Sequence, residues 1–133
     1  MYYLTKKHKK TGSVYALKVM EKFKILKLKA VKNIIREKNI LGSINHIFIL
    51  DLVTVLQDDQ SLYLLTNFIQ GGELFSLIHK GTKHGMLNDC ARFYGACIFE
   101  TLSFLHHRNI CYRDLKPENL VIDRDGESFF LSS

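Results

Sequence analysis

One proline, three cysteines and no internal repeat in 133 residues close off several architectures at once. So little proline excludes collagen-like and proline-rich extended chains. An odd number of cysteines cannot pair completely within the chain, and none of Cys90, Cys97 and Cys111 forms a C-x-x-C pair. A disulfide framework and a thiolate zinc site are therefore not expected, and the thiols read as reduced core residues. Cys90 and Cys97 lie seven apart on one expected helix, which suits packing. The six histidines show no metal-binding spacing. No apolar run approaches the length of a membrane span, and the opening Met1-Tyr2-Tyr3-Leu4-Thr5 reads as a strand rather than a leader. Cytoplasm, or nucleus, is the expected location.

Carboxylates are scarce in one region only. Residues 1–38 carry twelve lysines and arginines against two glutamates, a surplus of ten positive charges. Residues 39–133 carry seven against eleven, a surplus of four negative charges. A basic first third is compatible with nucleic acid or an anionic membrane surface. The lysines interleave with apolar residues at helical spacing, so a solvated helix face is the simpler expectation.

What is present has the composition of a globular domain, 47% hydrophobic and 24% charged. Residues 1–5 and Val14–Met20 read as two strands joined through the turn Lys10-Thr11-Gly12-Ser13. Residues 21–44 change to a helical period, with Ala30, Ile34, Leu41 and Ile44 on one stripe. Glu37 falls on that same stripe. A carboxylate there needs a partner, or else sits at the edge and reaches water. Ile47–Leu56 and Ser61–Phe68 are apolar strand-like runs around a polar turn. Gly71-Gly72 breaks the chain, and a helix is expected from Glu73. Residues 79–88 read as a loop. A longer helix follows from Asp89 to His107, capped by Asn88, with Ala91, Ile98, Leu102 and Leu105 inward. A polar loop, the short strand Leu120–Asp123, a turn at residues 124–126 and a strand from Phe129 to Leu131 complete the chain. Strands first and helices later imply two lobes.

The densest cluster of reactive groups is Tyr112-Arg113-Asp114-Leu115-Lys116-Pro117-Glu118-Asn119-Leu120. A carboxylate can orient and accept the proton of an attacking hydroxyl. A cation two residues on can neutralise charge on a phosphate, and an amide oxygen five residues on can hold Mg²⁺. These are the parts that phosphoryl transfer requires. The stretch resembles the catalytic loop of serine/threonine protein kinases, with Tyr112 in place of the usual leading His, and its form is similar to the AGC group that includes the cyclic-nucleotide-dependent kinases.

That resemblance implies roles elsewhere. Val14-Tyr15-Ala16-Leu17-Lys18 is similar to the kinase strand whose lysine pairs the α- and β-phosphates of ATP, and Glu37 would hold Lys18 as an ion pair. Leu62–Phe75 looks like the hinge between kinase lobes. By that likeness Asn67 and Ile69 would bond adenine through their backbones, and Thr66 would be the gatekeeper. Ala16, Leu74 and Val121 would flank the purine. Glu73 would touch ribose or a substrate arginine, and Glu118 a substrate arginine. Asp114 would be the base, Lys116 the phosphate neutraliser and Asn119 a metal ligand. The implied cofactors are ATP and Mg²⁺. The implied partners are protein substrates with basic residues near the phosphorylated hydroxyl, together with a cyclic-nucleotide-binding regulatory segment or subunit. No nucleic acid partner and no membrane span are expected.

The fold expected is α+β and two-lobed: a small β-rich lobe with one long helix over residues 1–66, a hinge over 67–72 and the start of a helical lobe over 73–133. The pattern departs from the family at both ends. The Gly-rich loop would precede Met1. Ser132 stands where the metal-binding Asp of D-F-G belongs, and Ser offers Mg²⁺ no carboxylate. A misread exon junction and a true truncation both read this way. The parent activity expected is ATP-dependent phosphorylation of protein serine or threonine, with this stretch inactive alone and prone to aggregate. The alternatives are a non-catalytic, kinase-shaped interaction module and a basic nucleic-acid binder.

Overall fold

The computed structural model describes residues 2–80, 86–124, 126 and 128–130; Lys80 and residues 128–130 are described as backbone. The chain forms two compact units. The first comprises the residues up to Asn45 with Leu50–Phe68, and the second comprises His46–Ile49 with the residues from Ile69 onward.

The first unit is built on a four-stranded antiparallel sheet of order β1-β2-β4-β3. Its strands are β1 (Tyr2–Lys7), β2 (Val14–Glu21), β3 (Leu52–Gln57) and β4 (Ser61–Asn67). The hairpin turn between β1 and β2 closes with the Gly12 N–H donating to the His8 carbonyl at 2.9 Å, and Gly12 adopts φ 75°. Side chains alternate across a strand, and directly opposed residues share a face. Ala16, Lys18 and Met20 therefore lie on the same face as their partners Thr66, Leu64 and Leu62. Met20, Ile25 and Leu64 are the buried centre of that face, with Ala30, Ile34, Leu52 and Leu62 packed around them.

The helical stretch after β2 is two helices rather than one, α1 (Lys22–Lys27) and α2 (Val31–Ser43). The break is a Schellman turn. The Ala30 N–H donates to the Ile25 carbonyl at 2.9 Å and the Lys29 N–H to the Leu26 carbonyl at 3.0 Å. Lys29 takes the left-handed position at φ 52°. Glycine normally marks that position, so a lysine there hides the stop. The apolar run Ile47–Leu56 also divides: only Leu52–Gln57 is strand, and His46–Ile49 belongs to the second unit.

The second unit contains α3 (Leu74–Lys80), α4 (Asn88–His106), a 3₁₀ turn (Pro117–Asn119) and the two-stranded ribbon β5 (Leu120–Ile122) and β6 (Ser128–Phe130). Helix α3 runs into the expected loop as far as Lys80. Helix α4 has Leu87 at its N-cap, and Asn88 opens the helix without a side-chain cap. Its buried face is Tyr94, Cys97, Thr101 and Leu105. Ala91 is exposed, and Ile98 and Leu102 are half-buried, so the inward face is rotated from the expected one. The rotation buries a polar residue, Thr101, whose hydroxyl satisfies itself by donating to the Cys97 carbonyl at 2.7 Å. Of the three thiols only Cys97 is buried; Cys90 and Cys111 are exposed, which corrects their reading as core residues. All three are free.

Candidate active site

The site residues fall into two sets, one in each unit. In the first unit β2 is a central strand, so Lys18 is flanked on both sides, opposite Tyr3 of β1 and Leu64 of β4. Its side chain is only 2% exposed. A buried ammonium needs a counter-charge, and α2 supplies it: Lys18 Nζ donates to Glu37 Oε1 at 2.6 Å. Thus the carboxylate on the apolar stripe of α2 has its partner, and the reading of Glu37 as an edge residue reaching water falls away. Ala16 and Thr66 are direct cross-strand partners on the same face as Lys18, both half-buried, and Asn67 ends β4 beside Tyr15.

Sequence reading missed Tyr3. Its hydroxyl pKa is pushed up to about 12, first by burial and then by the Glu37 carboxylate. Although 47% of the residue's surface is open, desolvation acts at the hydroxyl end. The hairpin register would have revealed it, since Tyr3 pairs with Lys18 once the turn at Gly12 is fixed.

In the second unit the loop following α4 leaves the helix through Asn109 at φ 56°, with the Ile110 N–H on the Leu105 carbonyl at 3.0 Å. Arg113 also adopts a left-handed conformation, φ 67°. The chain reverses there, and Asp114 comes to face the residues that follow it. Lys116 Nζ donates to both Asp114 carboxylate oxygens at 3.1 Å. Asn119 Nδ2 donates to the Asp114 carbonyl at 2.8 Å and to Oδ2 at 2.7 Å. Pro117 opens the 3₁₀ turn that brings Asn119 back, and the Asn119 N–H donates to the Lys116 carbonyl at 2.9 Å. Glu118 is exposed on that turn.

The same unit fixes Val121 and Glu73 together. They form an isolated antiparallel bridge, and the Ile122 N–H donates to the Gly72 carbonyl at 2.8 Å. The chain comes so close here that a Cβ at Gly71 would collide with the Ile122 and Asp123 carbonyls. Leu74 is buried, Val121 and Ile69 are half-buried, and Glu73 is exposed. The expectation for Ser132 lies outside the described residues.

Chemically, the first set offers a buried, carboxylate-held ammonium on an otherwise apolar sheet face, which fits nucleotide phosphates. The second offers a carboxylate oriented by a cation and an amide. With Nδ2 committed to Asp114, the amide oxygen is what Asn119 has left for a hard cation such as Mg²⁺. Among the described residues no group of three or more His, Cys, Asp or Glu gathers as a metal site. Each set is of a chemical kind suited to phosphate or to a hard cation.

Residues 3–131 match the protein kinase domain, and the chain belongs to the protein kinase family. It is 47% identical over 117 residues to the cAMP-dependent protein kinase catalytic subunit of Dictyostelium discoideum, covering 88% of this chain and 18% of that protein. It is 41% identical over 115 residues to the cAMP-dependent protein kinase type 3 of Saccharomyces cerevisiae, covering 86% and 28%. Against the serine/threonine-protein kinase Sgk2 of Rattus norvegicus it is 40% identical over 124 residues, covering 92% and 33%. The chain thus spans no more than a third of these relatives, all of them serine/threonine or cAMP-dependent kinases. No helix among the described residues is long and apolar enough to cross a membrane.

Proposed function

We propose that this chain carries the nucleotide clamp and catalytic loop of an AGC-like kinase that transfers the γ-phosphoryl of Mg-ATP to serine or threonine of protein substrates. The observation that carries the proposal is the Asp114 carboxylate, held by Lys116 at 3.1 Å and by Asn119 at 2.7 Å. A carboxylate so oriented can receive a hydroxyl proton as the oxygen attacks phosphorus. Lys116 sits where charge on the transferred phosphoryl can be neutralised, and the Asn119 oxygen is offered to Mg²⁺. ATP supplies the phosphoryl group; the chain positions it. Lys18, kept in place by Glu37, would bind the α- and β-phosphates. Ala16, Thr66, Leu74 and Val121 would line the purine slot, with the Asn67 and Ile69 backbones on adenine. Exposed Glu73 and Glu118 suit ribose or a basic substrate, and the location would be cytoplasm or nucleus. A cyclic-nucleotide-binding regulatory partner is proposed on likeness to the cAMP-dependent relatives.

The test is Asp114→Asn in the kinase completed at both ends. Turnover of a basic peptide should fall at least about a thousandfold while ATP affinity stays within about threefold, since a base acts in the transition state and not in nucleotide binding. Equal turnover would defeat the assignment. A second reading, a kinase-shaped module without turnover, draws on Ser132 standing where a metal-binding Asp is expected. Calorimetry separates them: Mg²⁺-dependent ATP binding supports the enzyme, and Mg²⁺-independent binding or none supports the module.

A further inference from the structure

The phosphoryl-transfer machinery leaves one conspicuous surface unused. Helix α1 and the turn after it carry three apolar side chains pointing into solvent: Phe23 is 72% exposed, Leu26 65% and Leu28 76%. Lysines at 24, 27, 29 and 32 surround them, all exposed. The acidic residues nearby are already committed. Glu21 pairs with Lys24 at 2.6 Å, and Glu37 is turned towards Lys18. Among the described residues Lys27, Lys29 and Lys32 have no acidic partner, so their charge is open to an external anion. Large apolar side chains set among uncompensated lysines are the signature of a surface that enters a negatively charged lipid headgroup layer.

A shallow groove beside this patch, lined by residues that include Ile25, Val31, Ile34 and Leu62, offers a different mode of docking. Of the three exposed apolar side chains Leu26 belongs to its lining, while Phe23 and Leu28, which expose the most of the three, do not. They stand on α1 and its Schellman turn. A peptide confined to the groove lining would leave them in water, whereas a headgroup layer takes up exposed apolar side chains and unpaired lysines together. We propose that α1 and the Leu28–Lys29 turn dock the chain on a phosphatidylserine-bearing bilayer surface. The apolar side chains insert between headgroups, and Lys27, Lys29 and Lys32 meet the lipid carboxylates and phosphates. The proposal does not depend on phosphoryl transfer.

The experiment is density-gradient flotation of the full chain, at submicromolar concentration, with phosphatidylcholine vesicles containing or lacking phosphatidylserine. Flotation should require phosphatidylserine and weaken with salt. Phe23→Ser with Leu28→Ser should lower partitioning about tenfold, and Lys27→Glu with Lys32→Glu should do the same. Lys9→Glu with Lys10→Glu, at the β1–β2 turn, makes an equal change in net charge elsewhere and should leave partitioning within about twofold. All four side chains of the first two variants face solvent, and far-UV circular dichroism checks that the fold survives. No flotation, equal flotation without phosphatidylserine, or loss only in the hairpin variant overturns the proposal. So does retention by Phe23→Ser with Leu28→Ser. Capture of an acidic aromatic peptide in place of vesicles would assign the docking to the groove instead.

Discussion

Lys18 shows how a single residue's burial fixes its role. An ammonium 2% exposed would be intolerable without Glu37, and a carboxylate on the apolar stripe of α2 would be costly without Lys18. Each explains the other; in the sequence only Glu37 stood out as a stripe carboxylate in want of a partner or an edge, and its pairing with Lys18 was expected from the kinase resemblance. Lys18→Met in the complete kinase should reduce turnover by about a hundredfold or more through loss of the phosphate contact, read by steady-state kinetics. It should also leave Glu37 unpaired, so the midpoint of denaturant unfolding should drop. Tyr3 and Asp58 were not legible, because both act through contacts set by register and turn geometry. Asp58 accepts from the Tyr63 hydroxyl at 2.6 Å and from the Gln60 and Ser61 N–H groups at 2.8 and 2.7 Å. These bonds, Tyr63 first, hold its carboxyl below the usual range. A depressed carboxylate contributes stability above its unfolded pKa and loses it as pH falls through the folded one. Melting temperature should therefore fall more steeply below about pH 4 in the wild type than in Asp58→Ala. Parallel acid slopes would remove Asp58 from the account.

At the scale of elements, the strands of the first unit and the long helix of the second were readable from alternation and from 3.6-residue periodicity. The misreadings share a cause: the deciding residue was one that does not advertise its conformation. Lys29 ends α1 from the left-handed region at φ 52°, a position in which a Cβ is strained. Lys29→Gly should relieve that strain and stabilise the first unit by about 0.5–1 kcal/mol, measured as a rise in the denaturation midpoint. A loss of stability would mean that the lysine side chain contributes more than the strain costs. Helix α4 was placed correctly and rotated wrongly, because pattern reading favoured Ala91, Ile98 and Leu102 over Tyr94 and Thr101. Thr101 is wholly buried by bonding its own helix, a solution that residue polarity does not reveal. The nine-residue loop around Asp114 was readable as a set of chemical groups, but the left-handed Arg113 that folds Asp114 against Lys116 and Asn119 was not.

At the scale of the molecule, large apolar side chains stand exposed in both units. Phe93 and Phe99 on α4 are 50% and 73% exposed, alongside Phe23 and Leu28 in the first unit. Surfaces of this kind promote association. The chain by itself should form concentration-dependent oligomers at tens of micromolar, seen by sedimentation velocity. A monomer at all concentrations with a sharp thermal transition would refute that.

The two sets of candidate residues differ in how much chain each must recruit. Asp114, Lys116 and Asn119 are joined by contacts two and five residues apart in sequence. Lys18 and Glu37 are nineteen apart and meet only after β2 is sandwiched and α2 has docked. Closing the longer loop carries the larger entropic toll, and the pair has no local geometry to fall back on. The order of assembly follows: on emergence from denaturant the contacts around Asp114 close over short loops, while the Lys18–Glu37 pair must wait for the sheet. On warming the sequence reverses, so the Lys18–Glu37 pair should part while Asp114 still holds Lys116 and Asn119.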